Sequence, residues 1–478
     1  MWFRAVSVKF ETDGGPGALR RRGPISSVLK RRQVLVEAVR SRLWPVPAAA
    51  VLLAVLAGIG VPELDAALDA RLPPTVAGYL FGGGAEAARE VLSVIAGSLI
   101  TVTALTFSLT LVTLQLASSQ YSPRLLRTFA ADRVVQRTLA LFLATFIYAL
   151  TVLRTVRSDT DAADGTAFVP QMAVTTAYLL AVASVVALVL FLGHLVRQIR
   201  VEAVLEHVRA DTCATATRLL PPARRDTPAV PVPVPPPHRH LVEAASSGFL
   251  VEIDEHALLT AAEQAEAVVW VDRPVGSPVL AGTPVAFSWS VRPQEPLTED
   301  AAHRLGERVR AALRTGSERT AVQDIGYGLR QLTDVVVRAL SPGINDPTTA
   351  VHGLISCTAV LADLLDRRLG PYTVCDEHDR VRVVLARPTF AELLDLVCTQ
   401  PRLYGADDPM VLDALLSMLR ELAWKAATGE QRTAITDQLR RLQEHVTDHD
   451  TVTRRHLDHL ARQVGEALEG RWAGRRPT

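Results

Sequence analysis

Lysine is scarce in this chain, and so are cysteine and the sequence patterns of common enzyme sites. Only three of the 51 Lys and Arg residues are lysines, at positions 9, 30 and 425, which argues against lysine-based catalysis and lipoylation. The four cysteines are widely spaced and follow no disulfide or zinc-binding pattern, so we expect free thiols. A glycine-rich phosphate loop, a nucleophile elbow and a paired metal motif are also missing. These absences argue against an enzyme, and we expect no cofactor and no nucleic-acid partner.

Charge is missing altogether from residues 91–123, a run of 33 residues without Asp, Glu, Lys or Arg. A helix needs only about 20 largely apolar residues to cross a bilayer, so this stretch is predicted to span a membrane. It is nevertheless rich in serine and threonine. We therefore expect part of its surface to face protein or water rather than lipid.

Three further apolar runs bring the number of predicted spans to four. The spans lie at about residues 45–61, 91–117, 138–153 and 168–196. The segments around them alternate in charge; the loop at 62–90, for example, is acidic and includes Glu63 and Asp65. The order basic, acidic, basic, acidic, basic is what the positive-inside rule gives for a chain with both termini in the cytoplasm. We therefore expect a multi-pass protein of the plasma membrane, with the lipid bilayer as a partner.

The predicted fold is mainly α. It comprises a four-helix transmembrane region, followed by a cytosolic region with a small β-α-β-β unit and a helical C-terminal domain. The predicted segments are a basic cytosolic N-terminal segment (1–44), the transmembrane domain (45–196), a helical extension (197–220), a proline-rich linker (221–240), a small α/β module (241–292) and a cytosolic helical domain (298–470). The linker is too rich in proline for a helix or a central strand, so we expect an extended spacer.

The β-α-β-β unit is predicted from an alternating run at 248–254, a helical run, a second apolar run and a hairpin. Gly276 and Gly282 stand at the turn positions of this hairpin. The hairpin is similar to those of biotinyl and lipoyl domains, but it has no lysine at its turn. A structural or oligomerising module is therefore favoured.

A predicted helix at 318–340 ends in the sequence SPGINDP. Pro342 and Gly343 interrupt the helix, while Asp346 and Pro347 supply an N-cap and a first-turn proline for the next helix. The motif is thus explained as a connection between two helices. A binding role for Asn345 or Asp346, with an unknown cytosolic ligand, is the alternative.

His445 and His449 lie four residues apart in a predicted helix and would share one face of it. That spacing can bind zinc or nickel. No third ligand is placed beside them, so we predict a solvated helix face and keep the pair as weak metal candidates.

Four segments resemble one family of bacterial membrane proteins, the domain-of-unknown-function family 2254. They lie at residues 88–129, 142–157, 191–200 and 330–351. The resemblance covers about residues 45–460 and is most specific in the second span and in SPGINDP. It implies an integral protein of the bacterial inner membrane with no established activity.

Two polar faces of the second span carry the functional prediction. One consists of small and hydroxyl residues at helical spacing: Ser93, Gly97, Thr101, Ala104 and Ser108. The other lies roughly opposite and consists of Thr103, Thr106, Thr110 and Thr113. Hydroxyl groups offer weak dipoles that an ion can pass without being trapped. Small residues also let membrane helices approach closely, so each face could either line a pore or pack against a helix.

Two classes of function fit these features. Four spans per chain are few for a monomeric transporter, and no acid or base lies within a span except His194 at one end. The first class is therefore a homo-oligomeric ion channel whose second span lines the pore. The second is a non-conducting membrane sensor or scaffold whose cytosolic region binds a partner or a ligand.

Overall fold

A computed structural model describes most of the chain. The described residues are 44–68, 80–120, 132–157, 168–198, 200–222, 231–292, 294–446 and 449–472. Almost all of the predicted N-terminal segment (1–44) and part of the predicted linker (221–240) lie outside them. Within the described residues the protein is mainly helical, with thirteen α-helices and eight β-strands.

The chain forms two compact units. The N-terminal unit comprises the residues up to Ser108 together with 127–188, and the C-terminal unit comprises 109–126 and the residues from Val189 onward. The long helices of the N-terminal part are α1 (Pro45–Leu68), α2 (Ala85–Gln120), α3 (Arg133–Leu153) and α4 (Gln171–Gln198). Helices α2 and α4 each continue from one unit into the other. All four are long and apolar enough to cross a membrane.

The bounds of these helices differ from the predicted spans. Helix α1 runs on to Leu68 because Pro62 does not end it. Helix α2 begins at Ala85 rather than near residue 91, so that Glu86 lies in its first turn. Helix α3 begins directly after Asp132, whose carboxylate accepts a hydrogen bond from the Val134 N–H at 2.7 Å. A local cap therefore sets the start of α3 before its apolar run begins.

Small side chains make up much of the core of the N-terminal unit. Six of its buried members are Ala54, Ala88, Ala96, Ala149, Ala173 and Ala177. Small residues let membrane helices approach closely, which is how they gain contact where lipid is as apolar as the protein. Tyr148 is the largest member of this core, and its hydroxyl donates a hydrogen bond to the Ala173 carbonyl at 3.3 Å.

Helices α1 and α3 approach closely at Gly58. A methyl group at this position would lie 2.7 Å from Cβ of Thr151, whereas one at Gly60 would meet nothing within 4 Å. We expect Gly58→Ala to destabilise the N-terminal unit by about 1 to 2 kcal/mol through overpacking. Thermal unfolding of the full chain in detergent should show a lower midpoint for Gly58→Ala than for the parent. The matched control Gly60→Ala should unfold at the parental midpoint. Equal midpoints would show that α1 and α3 can separate without cost.

Besides the end of α2, the C-terminal unit contains the end of α4, helix α5 (Val201–Leu219) and two β-sheets. Its strands are β1 (His240–Glu243), β2 (Gly248–Ile253), β3 (Ala267–Val271), β4 (Pro278–Val279), β5 (Pro284–Ser290), β6 (Leu313–Gly316), β7 (Tyr372–Cys375) and β8 (Val381–Leu385). The five-stranded sheet has the order β1-β5-β3-β8-β7, and the three-stranded sheet has the order β4-β2-β6. All pairs are antiparallel except β3 and β8, where Val269 lies opposite Val383.

The strand pairing differs from the predicted β-α-β-β unit. The elements occur in the expected order, with α6 (Glu255–Gln264) between β2 and β3. The hairpin prediction is wrong, because β4 pairs with β2 while β5 pairs with β1 and β3. Three strands, β6, β7 and β8, also come from the part of the chain that was predicted to be helical. The sheets are completed by residues far away in sequence, which local patterns do not reveal.

Seven further helices among the described residues complete the C-terminal unit, and all of them except α7 form a bundle. They are α7 (Glu299–Ala312), α8 (Ile325–Ala339), α9 (Pro347–Leu365), α10 (Phe390–Tyr404), α11 (Pro409–Lys425), α12 (Gly429–Val446) and α13 (Thr451–Leu468). Helices α6 and α7 instead cover one face of the five-stranded sheet, where Leu258 and Leu305 pack with Val269 and Val383. Helix α9 packs against α5, α8 and α11. By length and composition it is a fifth helix that could cross a membrane.

Candidate functional site

Helix α2 buries its threonine face and leaves the opposite face uncovered. The buried residues are Thr103, Thr106, Thr110 and Thr113. The exposed residues are Ser93, Gly97, Thr101, Ala104 and Ser108. A side chain added at Gly97 would meet nothing within 4 Å. The sequence offered no reason to distinguish the two faces. In the described part of this chain, the threonine face is covered and the face with Ser93 and Ser108 is not.

Large apolar side chains border the uncovered face on both sides. With about 100° of rotation per residue, Val94 and Leu105 lie along one border and Ile100 and Phe107 along the other. All four side chains are exposed. The uncovered face is therefore a narrow polar stripe between two apolar borders; we call it the α2 stripe, and it consists of Ser93, Gly97, Thr101, Ala104 and Ser108.

Several hydroxyl groups of α2 donate to carbonyl groups of the same helix. Thr101 Oγ1 donates to the Gly97 carbonyl at 3.1 Å, and Thr103 Oγ1 donates to the Leu99 carbonyl at 2.6 Å. Such i to i−4 bonds let a hydroxyl reside in an apolar environment without another partner. The oxygen of Thr101 keeps its lone pairs, so the stripe presents acceptor oxygens at that level rather than donated protons.

The SPGINDP segment forms a tight connection between α8 and α9. The N–H groups of Ile344 and Asn345 donate to the Ser341 carbonyl at 3.0 and 2.9 Å, and the Asp346 N–H donates to the Ala339 carbonyl at 2.8 Å. Asn345 has φ = 49°, a left-handed conformation that asparagine tolerates better than most residues. Pro342 and Gly343 lie in the turn, and Pro347 is the first residue of α9.

Asp346 caps α9 as its sequence position indicates. Its Oδ1 accepts a hydrogen bond from the Thr349 N–H at 3.1 Å. Hydrogen bonds from the Thr349 side chain and backbone hold the pKa of the Asp346 carboxyl below its usual range. These bonds account for the Asp346 side chain, and the motif connects two helices of the bundle.

The two histidines do not share a helix face. Helix α12 ends at Val446, so His445 lies in its last turn and His449 lies beyond it. His445 Nε2 is 2.9 Å from Arg402 Nη1, and His449 Nε2 is 3.0 Å from the Ala406 carbonyl. The expected i, i+4 geometry is therefore wrong, and in the described residues no cluster of three His, Cys, Asp or Glu side chains could hold a metal ion.

Sequence analysis missed a polar connection between α1 and α4. Asp65 was assigned to an acidic loop, but it lies within α1 and is buried. Its Oδ2 accepts hydrogen bonds from the N–H groups of Met172 at 2.8 Å and Ala173 at 3.5 Å, in the first turn of α4. The first N–H groups of a helix have no partner within it, so Asp65 supplies one from a neighbouring helix. Its sequence position four residues beyond a predicted span was the only signal.

An apolar groove lies between α9 and α11; we call it the α9–α11 groove. It is lined by Val351, Ile355, Thr358, Ala359, Ala362, Pro409, Met410, Asp413, Ala414, Ser417, Met418, Glu421, Trp424, Lys425 and His456, and its volume is about 940 Å³. Ile355, Met410 and Trp424 are each at least half exposed. One apolar side of α9 is covered by no other described helix. This side forms one wall of an open groove.

A family of membrane proteins matches most of this chain. The profile of the family described as "Predicted membrane protein (DUF2254)" matches residues 40–421. The chain belongs to the DUF2254 family. Uncharacterized proteins of Mycobacterium bovis and Mycobacterium tuberculosis are each 34% identical to it over 419 residues, which is 87% of this chain and 78% of theirs. No solved structure matches it significantly.

The DUF2254 match includes the four long N-terminal helices, both sheets and the SPGINDP turn. It ends at residue 421, whereas the resemblance was expected to extend to about residue 460, so α12 and α13 lie beyond it. This DUF2254 protein is therefore a predicted membrane protein with several apolar helices, and its relatives are uncharacterized.

Proposed function

We propose that this protein assembles with copies of itself into an ion channel of the bacterial inner membrane, with the α2 stripe lining the pore. The observation that carries the proposal is a hydroxyl-bearing stripe that the described residues of its own chain leave uncovered in the middle of an apolar helix. Such a stripe gains little from contact with lipid, whereas its small and hydroxyl side chains suit contact with water or with a neighbouring subunit. Around a symmetry axis the borders would pack together and the stripe would face the axis.

The proposed topology has four spans, α1 to α4, with both termini in the cytoplasm, as the charges of the connecting segments favour. Helix α9 is apolar enough to be a span by composition, but we assign it to the cytosolic region. Its buried side packs against α5, α8 and α11, and Lys425 donates to the Ala362 carbonyl near its C-terminal end at 3.0 Å. The role proposed is conduction rather than enzymatic catalysis.

The hydroxyl geometry favours cations as the conducted ions. Thr101 Oγ1 uses its proton for the Gly97 carbonyl, so only its lone pairs are available to an ion. Oxygen atoms replace the hydration shell of a cation and offer nothing to an anion. A larger current with K⁺ than with Cl⁻ as the permeant ion is therefore part of the proposal.

Current recordings from the purified full chain in planar bilayers test the proposal. We expect Thr101→Trp and Ser108→Trp to reduce the current about tenfold or more, because an indole fills a narrow hydroxyl-lined passage. Leu53→Trp is the matched control, because Leu53 is exposed on α1 and belongs neither to the α2 stripe nor to its borders, and its current should stay close to that of the parent. Absence of any current over a range of ions, voltages and tensions would contradict conduction. An unchanged current in both stripe variants would remove the α2 stripe from the pore.

A non-conducting sensor or scaffold is the second candidate, and the α9–α11 groove favours it. A groove with mainly apolar walls and a few polar groups is a common form of ligand or peptide site. In that case the N-terminal helices would serve as an anchor and the C-terminal unit would bind a partner. A protein that carries no current but binds a ligand saturably through this groove would support the second candidate over the first.

A further inference from the structure

We propose that the α9–α11 groove is a self-association surface, which packs against the same groove of a second copy of this chain. Helices α9 and α11 of each copy would then form a four-helix contact. The proposal deepens the oligomeric assembly proposed above, on which one step of the argument rests, and it names a contact outside the α2 stripe.

The shape of the groove is suited to contact with the same groove on a second copy of the chain. Ile355, Met410 and Trp424 protrude, with 60%, 53% and 50% of each side chain exposed. The recess beside them is lined by the small residues Ala359, Ala362, Ala414 and Ser417. A two-fold symmetric contact requires protrusions and recesses on the same surface, because each copy must fill the other with identical residues. This surface carries both.

The charges at the rim are already paired within the chain. Asp413 lies 2.6 Å from His456, Lys425 lies 3.1 Å from Asp366, and Glu421 lies 3.2 Å from Arg420. A strongly acidic or basic partner would therefore find no cluster of unpartnered charge of the opposite sign. A second copy brings the same rim, whose ionisable side chains already contact partners in their own chain, so like-charge repulsion across the contact is reduced.

The contact area that the groove can provide is small, which favours a partner held in the same assembly. A 17-residue helix such as α11 is about 25 Å long, and a face two helices wide covers about 500 Å² per copy. The total of about 1,000 Å² is at the lower limit for a specific interface. A freely diffusing protein would bind weakly through such a surface. Another copy in the same assembly has a high effective concentration, about millimolar for a short tether, and needs no larger contact.

A small apolar molecule fits the groove less well. Small-molecule sites bury about 70 to 90% of their ligand, whereas this groove is open along its length and its largest wall residues are half exposed. Paired helices that cross the opening would cover Ile355, Met410 and Trp424 completely.

Cross-linking of the full chain in membrane vesicles tests the proposal. Cys213 and Cys375, the two cysteines that are not fully buried, are first replaced with serine. Ile355→Cys, Met410→Cys and Trp424→Cys are then introduced singly and treated with a short bis-maleimide. We expect a covalent dimer for at least one of them, and the highest yield at the position closest to the symmetry axis. Leu403→Cys on α10 is the matched control, since 58% of Leu403 is exposed outside the groove.

A charged residue introduced into the recess provides a second test of the contact. Adding Ala359→Glu to the cross-linking variants should reduce the dimer yield about tenfold or more, because two buried carboxylates would face each other. Cys357 and Cys398, which are fully buried, should stay unlabelled and thereby show that the bundle is folded. No yield above that of Leu403→Cys, or a yield unaffected by Ala359→Glu, would overturn the proposal. So would a lipid or metabolite retained by the parent and lost with Ala359→Glu.

The two proposals fail separately. A protein that conducts but does not cross-link through the groove overturns only the groove contact. One that cross-links but carries no current overturns only the channel. Photobleaching that counts a single copy per complex in the membrane would overturn both.

Discussion

Replacing Gly328 with alanine is expected to destabilise the C-terminal unit by about 2 kcal/mol through overpacking. A methyl group here would overlap the Thr212 hydroxyl and lie 2.8 Å from Thr212 Cβ. Rotation of the threonine side chain relieves only the first overlap, because Cβ is fixed by the backbone of α5. Helix α5 must therefore move away from α8. The higher helix propensity of alanine, about 1 kcal/mol, offsets only part of this cost.

Two native cysteines report the effect. Cys357 and Cys398 lie on α9 and α10 and are fully buried, and burial raises the pKa of the Cys357 thiol to about 12. With Cys213 and Cys375 replaced by serine, a maleimide reaches the remaining thiols only when the unit opens. A loss of about 2 kcal/mol corresponds to about 30-fold faster labelling.

Gly326 provides the matched control on the same helix. The nearest atoms to a methyl group at Gly326 are Asp324 Oδ1 and Leu393 Cδ2, both at the ordinary distance of 3.6 Å. Gly326→Ala should therefore label at the parental rate or more slowly. If the two alanine variants label at the same rate, the close approach of α5 and α8 does not stabilise the unit.

Removal of the Asp65 carboxylate is expected to destabilise the N-terminal unit by about 2 kcal/mol, which combines a lost helix cap with unsatisfied buried N–H groups. The N–H groups of Met172 and Ala173 would lose their acceptor. In an apolar environment no water replaces it. Asp65→Asn keeps an acceptor oxygen but loses the favourable charge at the helix N-terminus, so its effect should be smaller than that of Asp65→Ala.

A cysteine placed at Ala149 measures this effect in a chain whose four native cysteines are replaced with serine or alanine. Ala149 is fully buried in the core of the N-terminal unit, so labelling of Ala149→Cys reports the opening of that unit. The expected order of labelling rates is Asp65→Ala, then Asp65→Asn, then the parent. Glu63→Ala removes an exposed carboxylate from the same helix and should match the parent. An Asp65→Ala rate equal to that of Glu63→Ala would contradict the capping role.

Local chemistry made the SPGINDP turn predictable. The cap at Asp346, the break at Pro342 and Gly343, and the start of α9 at Pro347 each depend on residues within a few positions in sequence. The same holds for the order of elements from β2 to β5. Hydrogen bonds and backbone preferences that involve residues a few positions apart can be predicted from the sequence.

Pairing over long distances was not predictable in the same way. Strand β8 lies between β3 and β7, although more than a hundred residues separate β3 from β8. Its five residues, VRVVL, lie in a region of mostly helical patterns, and the surrounding sequence does not indicate which strand they pair with. The predicted hairpin of β4 and β5 failed for the same reason, because each strand found a better partner elsewhere.

The sequence by itself was enough to predict a membrane protein with several apolar helices, because the length and apolar composition of a span can be read from a single helix. Only the tertiary structure decided which face of α2 is buried. Among the described residues, the threonine face is covered and the α2 stripe is exposed, although the two contain similar hydroxyl groups. Burial is a property of the surrounding helices, and a single helix does not contain that information.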